Sequence, residues 1–522
     1  MKTLNQFYLF SFFFLLYIAT MGGRSLPLDT KASVKTAQAV IEKGRFDLEL
    51  TQEDDLQLIG NDETSQFRWH TFFKAGNGKV YSKYGFGFPV FLIPFVLLGK
   101  LLYAVLGAAT GLSQDFFETI SVSLVGSFTM ALSCLLLFKF GQRLGCSGKT
   151  SFILALLFGW GTMAWHYAGG AFNESIVTLE LLCGIYFIFK ASQTGENADI
   201  FWAAMAVGIL LFTRNAAIIF LPLLAGYVIY SDIRQKKKHT VIFLSVIAIF
   251  LALIFWVNFS CFGGIFKTAY GGEGGIFLPR PFMKSFLNIA VHYLFSFQKG
   301  LFSYNPIAIA GLLALPYFYK KEKLLLFLIA GIFIVFSAAV FLTTYNIYAG
   351  GGPFSWGGRY FLILLPYFIL PLGYLLEKRK MVINALTVLL FTVSFFINLA
   401  GVLVPYEQYG YLKQELLKRA WTRPAYVTTP DGIRQKKTAV IFGTDYIKSF
   451  PPDMSAMFTI LKKKMAGDEF YTYSDFGINY PSTEKVTIVG SDRDEEFKGL
   501  NLWYVYLADK LFGRGKDISP VS

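Results

Sequence analysis

The chain has 522 residues, 54% hydrophobic, 18% aromatic and only 16% charged, against roughly 25% charged in an ordinary soluble domain. Its apolar residues gather into runs of about 20, the length a helix needs to cross about 30 Å of hydrocarbon, which excludes a soluble enzyme. The net charge of +14, from 48 Lys and Arg against 34 Asp and Glu, then reads as basic cytoplasmic loops and not as a nucleic-acid surface.

The expected fold class is an all-α polytopic membrane protein. Spans are predicted at 5–22, 116–139, 150–168, 172–190, 199–213, 215–231, 240–257, 301–319, 323–345, 359–376 and 381–404, about eleven transmembrane helices. Residues 6–19 read as an uncleaved anchor, since no A-x-A-like site follows. The apolar stretch 86–108 is expected to lie at the interface, because Gly85, Gly87, Pro89, Pro94 and Gly99 should interrupt a membrane helix.

Charge tests that exclusion. Alternating sides from an inside N-terminus puts fifteen basic residues in or beside the inner loops: Lys2, Lys139, Arg143, Lys149, Lys190, Arg234, Lys236, Lys237, Lys238, Lys320, Lys321, Lys323, Lys378, Arg379 and Lys380. The opposite short loops hold only Arg214 and Arg359, a bias that fits one orientation and that counting 86–108 as a span would destroy.

The protein is thus expected in the cytoplasmic (plasma) membrane, N-terminus inside and C-terminus outside. A transmembrane domain over 1–404 includes the extracytoplasmic first loop 23–115 with interfacial, juxtamembrane helices. A second outer loop covers 258–300, and a small α/β or irregular extracytoplasmic segment covers 405–522. Nine of the 34 acids fall in 23–85 and fifteen in 405–522, so the acid-rich chain lies outside the spans. In the last segment, 438–442 and 486–489 read as strands and 453–466 as helix. Cys134, Cys146, Cys183 and Cys261 have neither disulfide-framework nor zinc spacing.

Ionisable groups within spans usually mark an ion path, but here Glu180 is the only acid well inside one, and most other charges stand at outer helix ends. Asp29, just past the first span, is either a general base at the membrane surface or an N-cap for a helix over 30–43. Glu174, opening the fourth span from outside, either occupies the positive end of its helix or pairs with His166 across the turn between them to bind an acceptor or a metal. Two groups do not make a metal site, so the sequence requires no cofactor while remaining compatible with a divalent metal. Arg214 and Arg359 either snorkel to headgroups or bond a phosphate. The glycines Gly350, Gly351, Gly352, Gly357 and Gly358 before Arg359 favour the close approach of a ligand. Lys267, Arg280, Lys284, His292 and Lys299 add a basic face in 258–300, and the Glu53-Asp54-Asp55 and Asp62-Glu63 runs read as solvated loop.

The order of these pieces over roughly 5–404 resembles the GT-C class of polyprenyl-phosphate-dependent membrane glycosyltransferases, which includes protein mannosyltransferases and lipid A aminoarabinose transferases. Asp29 takes the position of the catalytic carboxylate after the first span, and Lys31–Gly44 looks like the first juxtamembrane helix. Asn77 through Gly85, Gly161-Thr162 through Glu174, Thr213-Arg214, Lys299 through Pro306 and Trp356 through Tyr360 are further matches. The first loop departs in having no Asp-Glu pair beside Asp29. The resemblance implies an inverting transfer of a sugar from a polyprenyl-phosphate donor to an unidentified acceptor at the outer membrane face. Asp29 would be the base, with Lys83, Arg214 and Arg359 on the donor phosphate. A non-enzymatic flippase or transporter of lipid-linked sugars is the alternative, and a membrane scaffold a third.

Overall fold

The computed structural model describes residues 6–22, 26–49, 72–75, 77–235, 237–268, 282–297, 299–343, 355–378 and 380–403, four short strands between 422 and 487, and Tyr504. Helix dominates. Among the described residues, eight helices are long and apolar enough to cross a membrane, compatible with an integral membrane protein. Seven coincide with expected spans: Gln114–Arg143, Asn173–Thr194, Asn215–Gln235, His239–Phe262, Lys323–Leu342, Arg359–Leu376 and Met381–Leu403. The expected spans at 5–22, 150–168, 199–213 and 301–319 overlap the shorter helices Gln6–Thr20, Gly148–Gly161, Asn197–Thr213 and Ile307–Lys321.

The eighth is a correction. Residues 86–108 were expected to be broken by glycine and proline, yet Gly87–Thr110 is one continuous helix with Pro94 inside it. Pro89 costs little, because the amides of a helix's first turn have no partner to lose. Gly99 lets the helix lie directly on Glu118, where a β-carbon would come within 2.6 Å of the Glu118 Cα.

The loops sort into two ends. At one end, Ser147 N–H donates to Glu377 at 2.7 Å and Tyr374 OH to Leu144 O at 3.0 Å and Glu322 at 3.1 Å. Gln235 donates to Ser192 O, and His239 lies 3.3 Å from Gly195 O. Of the fifteen basic residues assigned to inner loops, all those within the described residues lie in or beside these loops. Lys2, Lys236 and Arg379 fall outside them.

At the other end, Gly22 N–H donates to Gly169 O at 3.1 Å, Met163 N–H to Asn305 at 2.7 Å and Tyr167 OH to Trp356 O at 2.8 Å. Gln114–Arg143 links the two ends. Ser113 caps it through the Phe116 N–H at 3.3 Å. Gly126, where a side chain would collide with the Gly170 carbonyl, seats it against 167–170. From Gly126 to Gln114 the helix continues about 18 Å further, and Gly87–Thr110 packs on that extension. The contact of Gly99 with Glu118 falls on that extension.

Leu28–Lys43 rests on this pair through Gln38, which donates to Glu118 at 2.6 Å, and through Lys100 with Glu42 at 2.5 Å. The antiparallel strands Phe72–Lys74 and Val80–Ser82, with Phe73 opposite Tyr81, lead into Lys83 and Tyr84. In the last segment Thr422–Thr428 pairs with Arg434–Val440, and Gly477–Asn479 with Lys485–Thr487. The expected strands 438–442 and 486–489 overlap two of these, while 453–466 lies outside the described residues.

Candidate functional site

Four of the singled-out residues meet at the end opposite the basic loops. Leu28–Lys43 begins at Pro27, which supplies no side-chain cap, so Asp29 is in the first turn and is not the N-cap. Its carboxylate is spent elsewhere: Tyr84 OH donates to Oδ1 at 3.1 Å and Arg359 Nη2 to Oδ2 at 3.0 Å. The capping alternative fails because these distant donors outcompete the local amides.

Arg359 is shared. Its Nε lies 3.4 Å from Glu174 Oε1, within ion-pair range but without hydrogen-bond alignment. Arg214 Nη1 approaches the same oxygen at 3.5 Å. Beneath both guanidiniums lies Tyr360, its ring centroid 4.9 Å from Arg214 Cζ and 5.5 Å from Arg359 Cζ. Neither arginine snorkels: each is joined to a carboxylate and stacked on a ring. Exposure separates the two acids, because the Asp29 side chain is 35% exposed and that of Glu174 only 6%.

The turn that delivers Arg359 is anchored below. Lys299, expected on a basic face, is instead buried, and its Nζ donates to Ser355 O at 2.5 Å and to Ser355 Oγ at 3.1 Å. Trp356 donates through Nε1 to Asn398 at 3.2 Å. Gly357 adopts φ +58°, the left-handed region that favours glycine. Lys267 is exposed and His292 half-buried. Arg280, Gly350–Gly352, Glu53-Asp54-Asp55 and Asp62-Glu63 lie outside the described residues, as does the side chain of Lys284.

His166 is a correction to the expected pairing. Its Nδ1 is 2.7 Å from the Gly401 carbonyl, its ring lies 5.9 Å from that of Trp356, and no described contact joins it to Glu174. A carbonyl near the end of Met381–Leu403 satisfies the imidazole before the short turn can bring the acid to it. Lys83 is half-buried in the bend before Tyr84. Sequence reasoning missed Tyr84 and Tyr360 as parts of the cluster, although each directly follows a basic residue it had chosen.

Chemically, the cluster offers a partly exposed carboxylate, two guanidiniums and two aromatic rings, with the charges of the two acids and two arginines balanced. Among the described residues no three His, Cys, Asp or Glu side chains group to hold a metal ion. Two carboxylates already joined to guanidiniums do not fit one as they stand.

No family model matches the chain, and no curated protein does. Among solved structures, it is similar to the apo crystal structure of the oligosaccharyltransferase from Archaeoglobus fulgidus, at 12% identity and a TM-score of 0.37 over 83% of this chain. The match covers 59% of that protein, so the chain spans about three fifths of its length. A likeness of that size carries no argument about chemistry.

Proposed function

We propose that this protein is an inverting membrane glycosyltransferase, moving a sugar from a polyprenyl-phosphate donor to a hydroxyl acceptor at the outer membrane face. The observation that supports this best is the pairing of a partly exposed carboxylate, Asp29, with Arg359, at the bundle end opposite the basic loops. The acceptor oxygen attacks the anomeric carbon, the carbon–phosphate-oxygen bond breaks, the proton passes to Asp29, and the prenyl phosphate leaves with the bonding pair. Arg359, Arg214 and Lys83 stabilise that leaving anion. Glu174, nearly buried between two arginines, holds them in place and does not meet the acceptor. His166 has no part in the transfer.

The bond that Arg359 makes to Asp29 sets an order of events in this reading. A donor phosphate that draws Arg359 to itself frees a carboxylate oxygen for the acceptor, so donor binding precedes acceptor activation.

Supplying the purified protein with prenyl-monophosphate-linked sugars tests the proposal. Free prenyl phosphate should accumulate at the rate at which sugar joins the acceptor. Movement of intact lipid-linked sugar across liposomes, with no donor consumed, would instead support the transporter reading.

A further inference from the structure

Glu180, the acid well inside a span, has no role in the site described above. It lies in Asn173–Thr194, six residues past Glu174, and is buried. An acid at that depth is costly and calls for a partner. The partner is Thr213, whose hydroxyl donates to Glu180 Oε1 at 2.8 Å, while Oε2 is buried and makes no hydrogen bond among the described residues.

Thr213 is a junction. It is the last residue of Asn197–Thr213, and the next residue, Arg214, leaves that helix in an extended conformation, φ −143° and ψ 96°, before the 3-10 turn Asn215–Phe220. The Thr213 backbone also supports the chain that enters Gly87–Thr110. A β-carbon at Gly87 would come within 2.6 Å of Thr213 N and Cα, and one at Gly85 within 3.2 Å of its carbonyl oxygen. Gly85 directly follows Lys83 and Tyr84. One buried hydroxyl thus stands between the arginine that pairs with Glu174 and the tyrosine that bonds Asp29.

We propose that Glu180 is a positioning residue: by holding the Thr213 hydroxyl it fixes where Arg214 leaves its helix and where the Lys83–Gly87 backbone seats. A carboxylate oxygen accepts and so orients the hydroxyl in one sense, which a second hydroxyl in its place would not. The inference rests on the reading of Arg214 as a phosphate ligand.

The test measures binding of farnesyl phosphate to the detergent-solubilised full chain, alongside its melting temperature. Glu180→Leu and Thr213→Val should each weaken binding about tenfold, the scale of one lost buried hydrogen bond, and the double variant should bind no worse than either. Glu180→Gln, which keeps an accepting oxygen, and Thr213→Ser, which keeps the hydroxyl, should bind within about twofold of wild type. If Glu180→Leu and Thr213→Val lower the melting temperature but bind as wild type, Glu180 merely supports the fold and the proposal is overturned. It is also overturned if Glu180→Gln binds as poorly as Glu180→Leu, since the charge and not the hydrogen bond would then matter. Arg214→Ala separates the premise: binding unchanged in that variant refutes the phosphate reading itself, and the inference with it.

Discussion

Glu174 is the residue on which the two arginines converge. Its side chain is 6% exposed, and Arg214 and Arg359 reach the same oxygen from 3.5 and 3.4 Å. Removing one partner of a buried ion pair typically costs 3–5 kcal/mol, because the other charge stays desolvated. Glu174→Gln should therefore destabilise the protein by about 3 kcal/mol, read as a lowered midpoint in a denaturation series, and should weaken donor use as both guanidiniums drift. A variant as stable as wild type would mean that Asp29 and Tyr360 suffice to hold them. Arg359→Lys keeps the charge but loses the planar fork that reaches both acids. It should leave expression intact while raising the donor concentration needed for half-maximal transfer by about tenfold; an unchanged value would return Arg359 to a purely structural part.

At the scale of elements, the charges at helix ends were legible because ionisable groups are rare beside long apolar runs, and so Asp29, Glu174, Arg214 and Arg359 stood out. Which of them meet was not legible: Asp29 and Arg359 are 330 residues apart, and no local spacing encodes that contact. His166 was assigned from nearness in sequence and found a carbonyl 235 residues away instead.

Gly87–Thr110 departs from its sequence pattern for a related reason. Glycine and proline commonly break a helix, whereas Gly87 and Gly99 serve close packing on Thr213 and Glu118, and packing against Gln114–Arg143 compensates for the bond lost at Pro94. The interfacial reading of 86–108 predicts that this helix begins and ends on one side of the membrane. In a cysteine-free background, Gly78→Cys and Asp115→Cys should react with a membrane-impermeant thiol reagent from the same side, and Lys149→Cys only from the other. Reaction of positions 78 and 115 from opposite sides would show that the helix crosses.

The described helices form a two-ended bundle. One end ties basic loops together, while the other gathers two acids, two arginines and two tyrosines from five separate stretches of chain. The division into ends was readable from charge alone, since lysine and arginine accumulate on one side of membrane proteins. The site at the far end required the fold. Asp29 decides whether that site catalyses or only binds, because it is the exposed carboxylate of the pair.

Asp29→Asn preserves size and accepts hydrogen bonds through its amide oxygen, but it cannot take the acceptor's proton. With donor binding and sugar transfer measured on the same purified variant, binding should persist while turnover falls by roughly 10²-fold or more. Glu42→Gln, on the same helix but paired with Lys100 at the surface, should remain within about twofold of wild type, since exposed ion pairs contribute little. Transfer by Asp29→Asn at the wild-type rate would contradict its role as the base.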